Sequence, residues 1–376
     1  MEHRFRLVEL QKEELKVQAK IDDYNMWGAP GLDQASYQKK GTMQRGTAHS
    51  KRGSIFWALV ERTPAHDGGV FGEDNDVSDD DVVPGKDMLL CHCESHMFDC
   101  AFRKLDGTLV CGISHHIGSV FTLPAFRGQG LARLFLTGVQ KRMSKLPNAI
   151  GSVLYSDIGP TFFDRLGWRL HPSVLAELKL SASLNDRVVA EDAHIEKLYL
   201  DKTLDEFLAR DNQRVLDEMV TDKYSGKEVF ASLLTRDSVE WHFCLGVLYA
   251  NIRGFPEPPT YCGAEIDNHA FVVWCHNLKE STLYIVHARF PVGRPSDTVR
   301  LLRAAITEAG KFKLASVAIW DPTDALFEDG VLKELSIVKE DREGSLSSLV
   351  VFDQYRVDQA NKEIPVWLNN EKHAWV

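Results

Sequence analysis

One stretch of this chain has residue types and spacing suited to holding an anion: Val120-Phe121-Thr122-Leu123-Pro124-Ala125-Phe126-Arg127-Gly128-Gln129-Gly130-Leu131-Ala132. An apolar strand breaks at Pro124, and a basic, glycine-rich turn opens an amphipathic helix running to about Met143. Such a junction aims several main-chain N–H groups and the positive end of a helix at one point, where a phosphate is well bound. Gly128 and Gly130 let the backbone approach a pyrophosphate closely, and Arg127 adds charge at the turn.

The groups with acid–base chemistry elsewhere are Glu94, His96, His115, His116 and the chain's own carboxylate on Val376. His115 and His116 are adjacent in a strand and point to opposite faces, so only one can serve a given site. Cys91, Cys93, His96 and Cys100 do not have finger spacing, and alternating strand positions would splay them, so no metal is expected. Cys111 reads as a core thiol rather than a nucleophile. The acidic run between Gly68 and Gly85 (Glu73, Asp74, Asp76, Asp79, Asp80, Asp81) lacks calcium-loop spacing and reads as a solvated, disordered loop over about 66–85.

Positioning these groups requires a sheet flanked by helices. A helix over Leu10–Tyr24 is followed by an irregular Met26–Gly31 stretch, with Tyr24, Trp27 and Tyr37 as aromatic surface. Strands follow at Ser54–Glu61, about Met88–Glu94, and from the Asp106-Gly107 turn to Pro124. Gly151–Tyr155 is a further strand, Phe162–Trp168 a short helix ended at Gly167, and strands over Arg169–Leu180 close the unit. The second half repeats this order with strands at Thr260–Glu265, Ala270–Cys275, Leu283–Phe290 and Ala315–Trp320 around a helix at Asp297–Phe312. Its turn, Pro291-Val292-Gly293-Arg294-Pro295, loses an N–H donor at Pro295 and cannot cradle a pyrophosphate in the same way. The expected fold class is α/β with a mixed sheet, and a degenerate copy as a second domain. The expected division is residues 1–182 for the anion-binding domain and 183–376 for a domain helping to form a substrate pocket.

Arg127–Ala132, as R-x-x-G-x-A between strand and helix, resembles the acetyl-CoA pyrophosphate loop of the GCN5-related N-acetyltransferases. Leu154–Gly159, Phe162-Phe163, Leu166–Trp168 and the closing Trp367–Val376 segment are similar to fungal lysine N-acetyltransferases, which acetylate the side-chain amine of free lysine in its catabolism. The resemblance implies that Val120, Phe121 and Thr122 pair with the pantetheine arm. It places Arg127, Gly128, Gln129, Gly130, Leu131 and Ala132 on the pyrophosphate. Ser156 stands where many relatives carry Asn, and Phe163 where many carry the Tyr that protonates the leaving thiolate. Phe cannot donate a proton, so Tyr155 is a candidate substitute, or the thiolate leaves unaided.

The implied reaction is direct attack by an amine on acetyl-CoA in a ternary complex. It needs a base, for which Glu94 and Val376 are candidates, the latter because N-myristoyltransferase, a tandem relative, uses its own terminal carboxylate. Strand N–H groups around Phe121–Leu123 would stabilise the oxyanion. Tyr24, Trp27 and His242 are candidates to line the amine pocket. Two other readings remain open: a protein or peptide N-acetyltransferase, and a non-catalytic acetyl-CoA sensor.

The 376 residues suffice for two domains, and 44% hydrophobic content supports a sizeable core. A net charge of −10 makes nucleic acid an unfavourable partner. No apolar run is long enough to cross a bilayer, no secretory signal opens the chain, and seven cysteines are an odd number for a disulfide framework. The cytoplasm is therefore the expected compartment, and the resemblance implies a small amine, L-lysine, as the partner.

Overall fold

The computed structural model describes residues 4–62, 77–180, 194–356 and 363–376. The first half runs β1 (Phe5–Glu9), α1 (Glu13–Asp22), α2 (Tyr24–Trp27), α3 (Gln34–Arg45), α4 (Ala48–Gly53), β2 (Ile55–Glu61), β3 (Cys91–Arg103), β4 (Leu109–Thr122), α5 (Leu131–Met143), β5 (Ala149–Ser156), α6 (Thr161–Asp164), β6 (Arg169–Leu170) and β7 (Val174–Lys179). Then follow β8 (Glu196–Leu198), α7 (Lys202–Met219), β9 (Val229–Ser232), α8 (Arg236–Ile252), β10 (Gly263–Ile266), β11 (Ala270–Asn277), β12 (Thr282–Arg289), α9 (Pro295–Lys311), β13 (Ser316–Trp320), α10 (Asp329–Leu332), β14 (Val338–Asp341), β15 (Leu346–Val351) and β16 (Val366–Leu368). Among the described residues no helix is long and apolar enough to cross a membrane.

The strands form two mixed sheets. The first has the order β1-β2-β3-β4-β5-β15-β6, with β9 beside the second half of β3 and β16 beside β9. The second has the order β14-β7-β13-β12-β11-β10-β8. Each is centred on a parallel pair, β4 with β5 and β12 with β13, next to an antiparallel neighbour. This α/β architecture, repeated in the second half, is the one the element order predicts. α5 lays Leu131, Phe135, Leu136, Val139 and Met143 on Trp57, Cys91, Cys93, Ile117 and Leu154. Helical periodicity on α5 thus meets strand alternation on the sheet, and burial of these side chains drives the docking. α9 does the same for the second sheet, over Val272, Trp274, Leu283, Ile285, Val317 and Ile319.

Three expectations change. Residues 169–180 do not close the first unit. β6 stays in the first sheet, but β7 joins the second as antiparallel partner of β13, and β15 takes the place between β5 and β6. Each strand goes where its apolar face fits: Ala176 and Leu178 enter the core around α9, while Leu349 and Val351 pack on Ile150, Val153 and Phe230. β3 runs 13 residues, so Glu94 lies within it rather than at its end. Residues 66–76 of the acidic loop, with Glu73, Asp74 and Asp76, lie outside the described residues. Residues 77–85 are a packed turn rather than a solvated run. Asp79 is 2% exposed and accepts from the N–H groups of Gln11 at 2.8 Å and Lys12 at 3.0 Å, while Asp81 pairs with buried Arg6. Buried donors at the start of α1 draw this carboxylate inward.

Candidate active site

The parallel ladder of β4 and β5 ends at the pair Ile117–Leu154. β4 continues to Thr122 against β3 alone, with a bulge opposite the 92–94 stretch and Ser119 at φ 54°. A non-glycine residue held at positive φ beside a bulge is local strain of the kind found at functional positions. Beyond Ile117 the two strands separate, and Val120, Phe121 and Thr122 lie on the free side of that opening. Of the proposed oxyanion donors, Leu123 is unsuitable, because its N–H donates to the Leu90 carbonyl at 3.1 Å.

The anion loop follows at once. Gly128 and Gly130 stand at φ 74° and 79°, a region that L side chains avoid, and Gly130 is the N-cap of α5 without any side-chain cap. The first N–H groups of the helix, at Leu131 and Ala132, lack acceptors within it, and a Cβ at either glycine would meet nothing within 4 Å. The approach to these donors is open on the glycine side, which suits a pyrophosphate. The Arg127 guanidinium folds over the Phe121 ring at 5.4 Å and donates to the Thr122 carbonyl at 3.0 Å. It thereby ties the loop back to the strand.

On the face of β3 and β4 turned from α5, polar side chains cluster under α1, α3, α4 and α8. Glu94 pairs with Lys20 at 2.5 Å and lies 3.5 Å from His96, and Lys20 also reaches Asp23 at 3.5 Å. The Tyr37 hydroxyl donates to Asp23 at 2.9 Å. Burial pushes the Glu94 carboxyl up, but Lys20 and His96 outweigh it and hold the group well below the usual carboxylate range. A carboxylate so stabilised is a weak base. Lys40, half-buried in the same cluster, is pushed down to about 8 by burial and by Lys20 and Lys279.

The chain's C-terminus enters this face. Gly118 is the register partner of Glu94, and a Cβ at Gly118 would lie 2.8 Å from the terminal oxygen of Val376 and 3.0 Å from its carboxyl carbon. Two histidines hold the tail. His116 donates from Nδ1 to the Ala374 carbonyl at 2.7 Å while accepting at Nε2 from Ser114 at 2.8 Å, and His242 donates from Nε2 to the His373 carbonyl at 3.0 Å. Burial pushes both imidazoles down to about 3, so they are neutral, and the carbonyls set which nitrogen carries the proton.

The remaining candidates are dispersed around this centre. The Trp27 ring sits 6.0 Å from Phe121, near the strand opening, and the Tyr24 hydroxyl donates to the Leu32 carbonyl at 2.8 Å. His242 is 4% exposed and grips the tail rather than lining open space. Tyr155 is half-buried near the end of β5 beside Trp320 and Trp367, its hydroxyl has no partner among the described residues, and desolvation pushes its pKa up. The Ser156 hydroxyl donates to the Gly159 carbonyl at 3.0 Å, and Phe163 packs in the core against Phe162. His115 lies on the other face, pushed down to about 4 by burial. Cys111 is exposed, not a core thiol, because its side of β4 is not covered there. Sequence reasoning missed Lys20, Asp23 and Lys40, whose only signal was their polarity in and beside amphipathic helices, and it read Tyr37 as aromatic surface rather than as a partner of Asp23.

Residues 179–376, more than half of the chain, match the family described as LYC1 GNAT-like C-terminal domain. Over 96% of its length the chain is 21% identical to the uncharacterized protein YGR111W of Saccharomyces cerevisiae, covering 91% of that protein. Among solved structures it is similar to a conserved protein of unknown function, a probable N-acyltransferase, from Enterococcus faecalis V583, at 12% identity and a TM-score of 0.50, over 92% of this chain and 72% of the other. A GCN5-related N-acetyltransferase from Kribbella flavida aligns at 14% identity and a TM-score of 0.47, over 94% and 74%. The chain belongs to the LYC1 GNAT-like family, within the GCN5-related N-acetyltransferase superfamily.

Proposed function

We propose that this protein is an acetyl-CoA-dependent N-acetyltransferase that acetylates the side-chain amine of free L-lysine, with the terminal carboxylate of Val376 as its base. The observation that carries this reading is the seat of that carboxylate on Gly118, on the strand that leaves β5 just before the open-sided anion loop. Acetyl-CoA is the substrate whose pyrophosphate and pantetheine would suit the loop at 127–132 and the strand edge at 120–122. An alkyl ammonium of pKa about 10.4 must lose a proton before it attacks, and the carboxylate beside the opening would take it. The new C–N bond then forms at the thioester carbonyl as the C–S bond breaks. The thiolate, of pKa about 8.5, can leave without an acid, and Tyr155 is the candidate donor if one is used.

Free lysine suits a cluster with both charge signs. Glu94 and Asp23 face ammonium groups, while Lys40 offers a cation to a carboxylate. Tyr24 and Trp27 would add aromatic walls, and residues 183–376 would close the pocket through α8 and the tail. Likeness of Leu154–Trp168 and of the C-terminal segment to fungal lysine N-acetyltransferases supports the same substrate.

The test is release of CoA thiol from acetyl-CoA with free lysine, ornithine, polyamines and a lysine-containing peptide. Turnover with lysine alone is expected. Turnover only with peptide would assign protein modification, and CoA binding without turnover would assign a sensor.

A further inference from the structure

The second sheet contains the same opening, and the chain fills it with its own tail. The ladder of β12 and β13 ends at Ile285–Ile319, after which β12 continues to Arg289 and β13 stops at Trp320. Residues 371–374 pack on the freed part of β12. The Ala288 N–H donates to Glu371 Oε1 at 3.3 Å, so a carboxylate of the chain takes a main-chain donor on the edge that the first sheet leaves open.

Glu371 is in turn fixed by charge. Its Oε2 accepts from His287 Nδ1, and His287 Nε2 donates to Asp211 Oδ2 at 2.8 Å. Arg289 closes the network on Asp211 Oδ1, with Nε at 2.7 Å. Asp211, His287 and Glu371 are each less than a tenth exposed. Burial works against a charged His287, but the two carboxylates overcome it and raise its pKa to about 10. Two anions and two cations then balance, so although His287, Glu371 and His373 have spacing that a metal could use, the proton already bridges the pair. The next residue is caged too: Lys372 Nζ lies 4.8, 4.1 and 3.6 Å from the ring centres of Tyr284, Trp320 and Trp375.

We propose that the degenerate strand opening of the second sheet is the anchor for the base of the first: Glu371, held by His287, Asp211 and Arg289, is the positioning residue for the Val376 carboxylate. This rests on the reading of that carboxylate as the base. Four residues lie between anchor and seat, a reach of at most about 18 Å of extended chain, and the carbonyls of His373 and Ala374 are pinned within it. The tail therefore has little slack. On this proposal the second sheet has a mechanical role in the first sheet's site.

The experiment uses the full-length protein and carboxypeptidase A, which removes apolar C-terminal residues only when they leave their seat. Wild type is expected to keep Val376. Glu371→Gln is expected to release it at least tenfold faster and to lower kcat with lysine at least tenfold, leaving KM for acetyl-CoA within twofold. Arg289→Gln, at a side chain in part open to solvent, is the milder second variant should Glu371→Gln fold poorly, and it should show the same pattern more weakly. Folded variants that protect Val376 as well as wild type does would overturn the anchor. Deleting Val376 tests the base separately: an unchanged kcat there removes the base, while the digestion rates still decide the anchor.

Discussion

Gly118 and Val376 are complementary: the missing side chain of the glycine leaves the space that the terminal carboxylate occupies, 2.8 Å from where a Cβ would stand. Gly118→Ala should push the carboxylate out and lower kcat at least tenfold, a barrier increase of about 1.4 kcal/mol. Deleting Val376 should do the same, whereas Val376→Ala, which keeps a terminal carboxylate, should stay within a few-fold of wild type. Steady-state kinetics of the three variants with lysine and acetyl-CoA decide this.

Glu94 occupies the register position opposite Gly118 but is already neutralised by Lys20. Glu94→Gln takes from Lys20 its closer partner and leaves Asp23 as the remaining one, so it is expected to raise KM for the amine and to lower stability by roughly 1.5–3 kcal/mol, the scale for a hydrogen bond to a charged group. The pH dependence of kcat should keep its shape. A lost acidic limb, the side on which a carboxylate base becomes protonated, would instead make Glu94 the base.

The loop glycines carry a separate prediction. Gly130→Ala forces an L residue to φ near 79°, which costs roughly 1–2 kcal/mol, and CoA affinity should fall about tenfold by calorimetry. Arg127→Ala removes a charge at the same place and should weaken CoA with a marked salt dependence, because a charge-assisted contact contributes roughly 1.5–3 kcal/mol.

The charged clamp makes stability depend on pH in a definite direction. His287 is raised to about 10, so its contribution is full below its unfolded value near 6.5 and is lost as pH rises through 10. Asp211 and Glu371 are lowered to about 2, so theirs is full above the unfolded carboxylate range near 4 and is lost as pH falls through 2. Thermal melts should decline from pH 7 to 10, and His287→Gln should flatten that decline. An equally steep decline in the variant would place its origin elsewhere.

Asp79 gives a test away from the site. Asp79→Ala strips the acceptor from the N–H groups of Gln11 and Lys12 and should lower stability by about 1–2 kcal/mol in urea unfolding, with kcat unchanged.

Much of the fold was legible because its signals are local. The break at Pro124, the two glycines and the helix through Met143 are contiguous, so backbone sterics and hydrophobic periodicity state the strand–turn–helix unit without knowledge of its neighbours. Strands β10 to β13 were legible for the same reason. β7 and β15 were not, since alternation shows that a strand has an apolar face but not which of two similar sheets will cover it.

The polar centre was less legible still. Glu94 and Val376 stood out by residue type or position, but nothing local distinguishes Lys20, Asp23 and Lys40 from the other charges in and beside α1 and α3. Chain composition and local pattern determined a repeated α/β fold with an anion loop in its first half. Tertiary structure decided which charges are buried, where the tail runs, and that Asp211, His287 and Glu371, 76 and 84 residues apart, form one network. Burying a charge is unfavourable until its partners arrive from distant elements, so such a site exists only in the assembled fold.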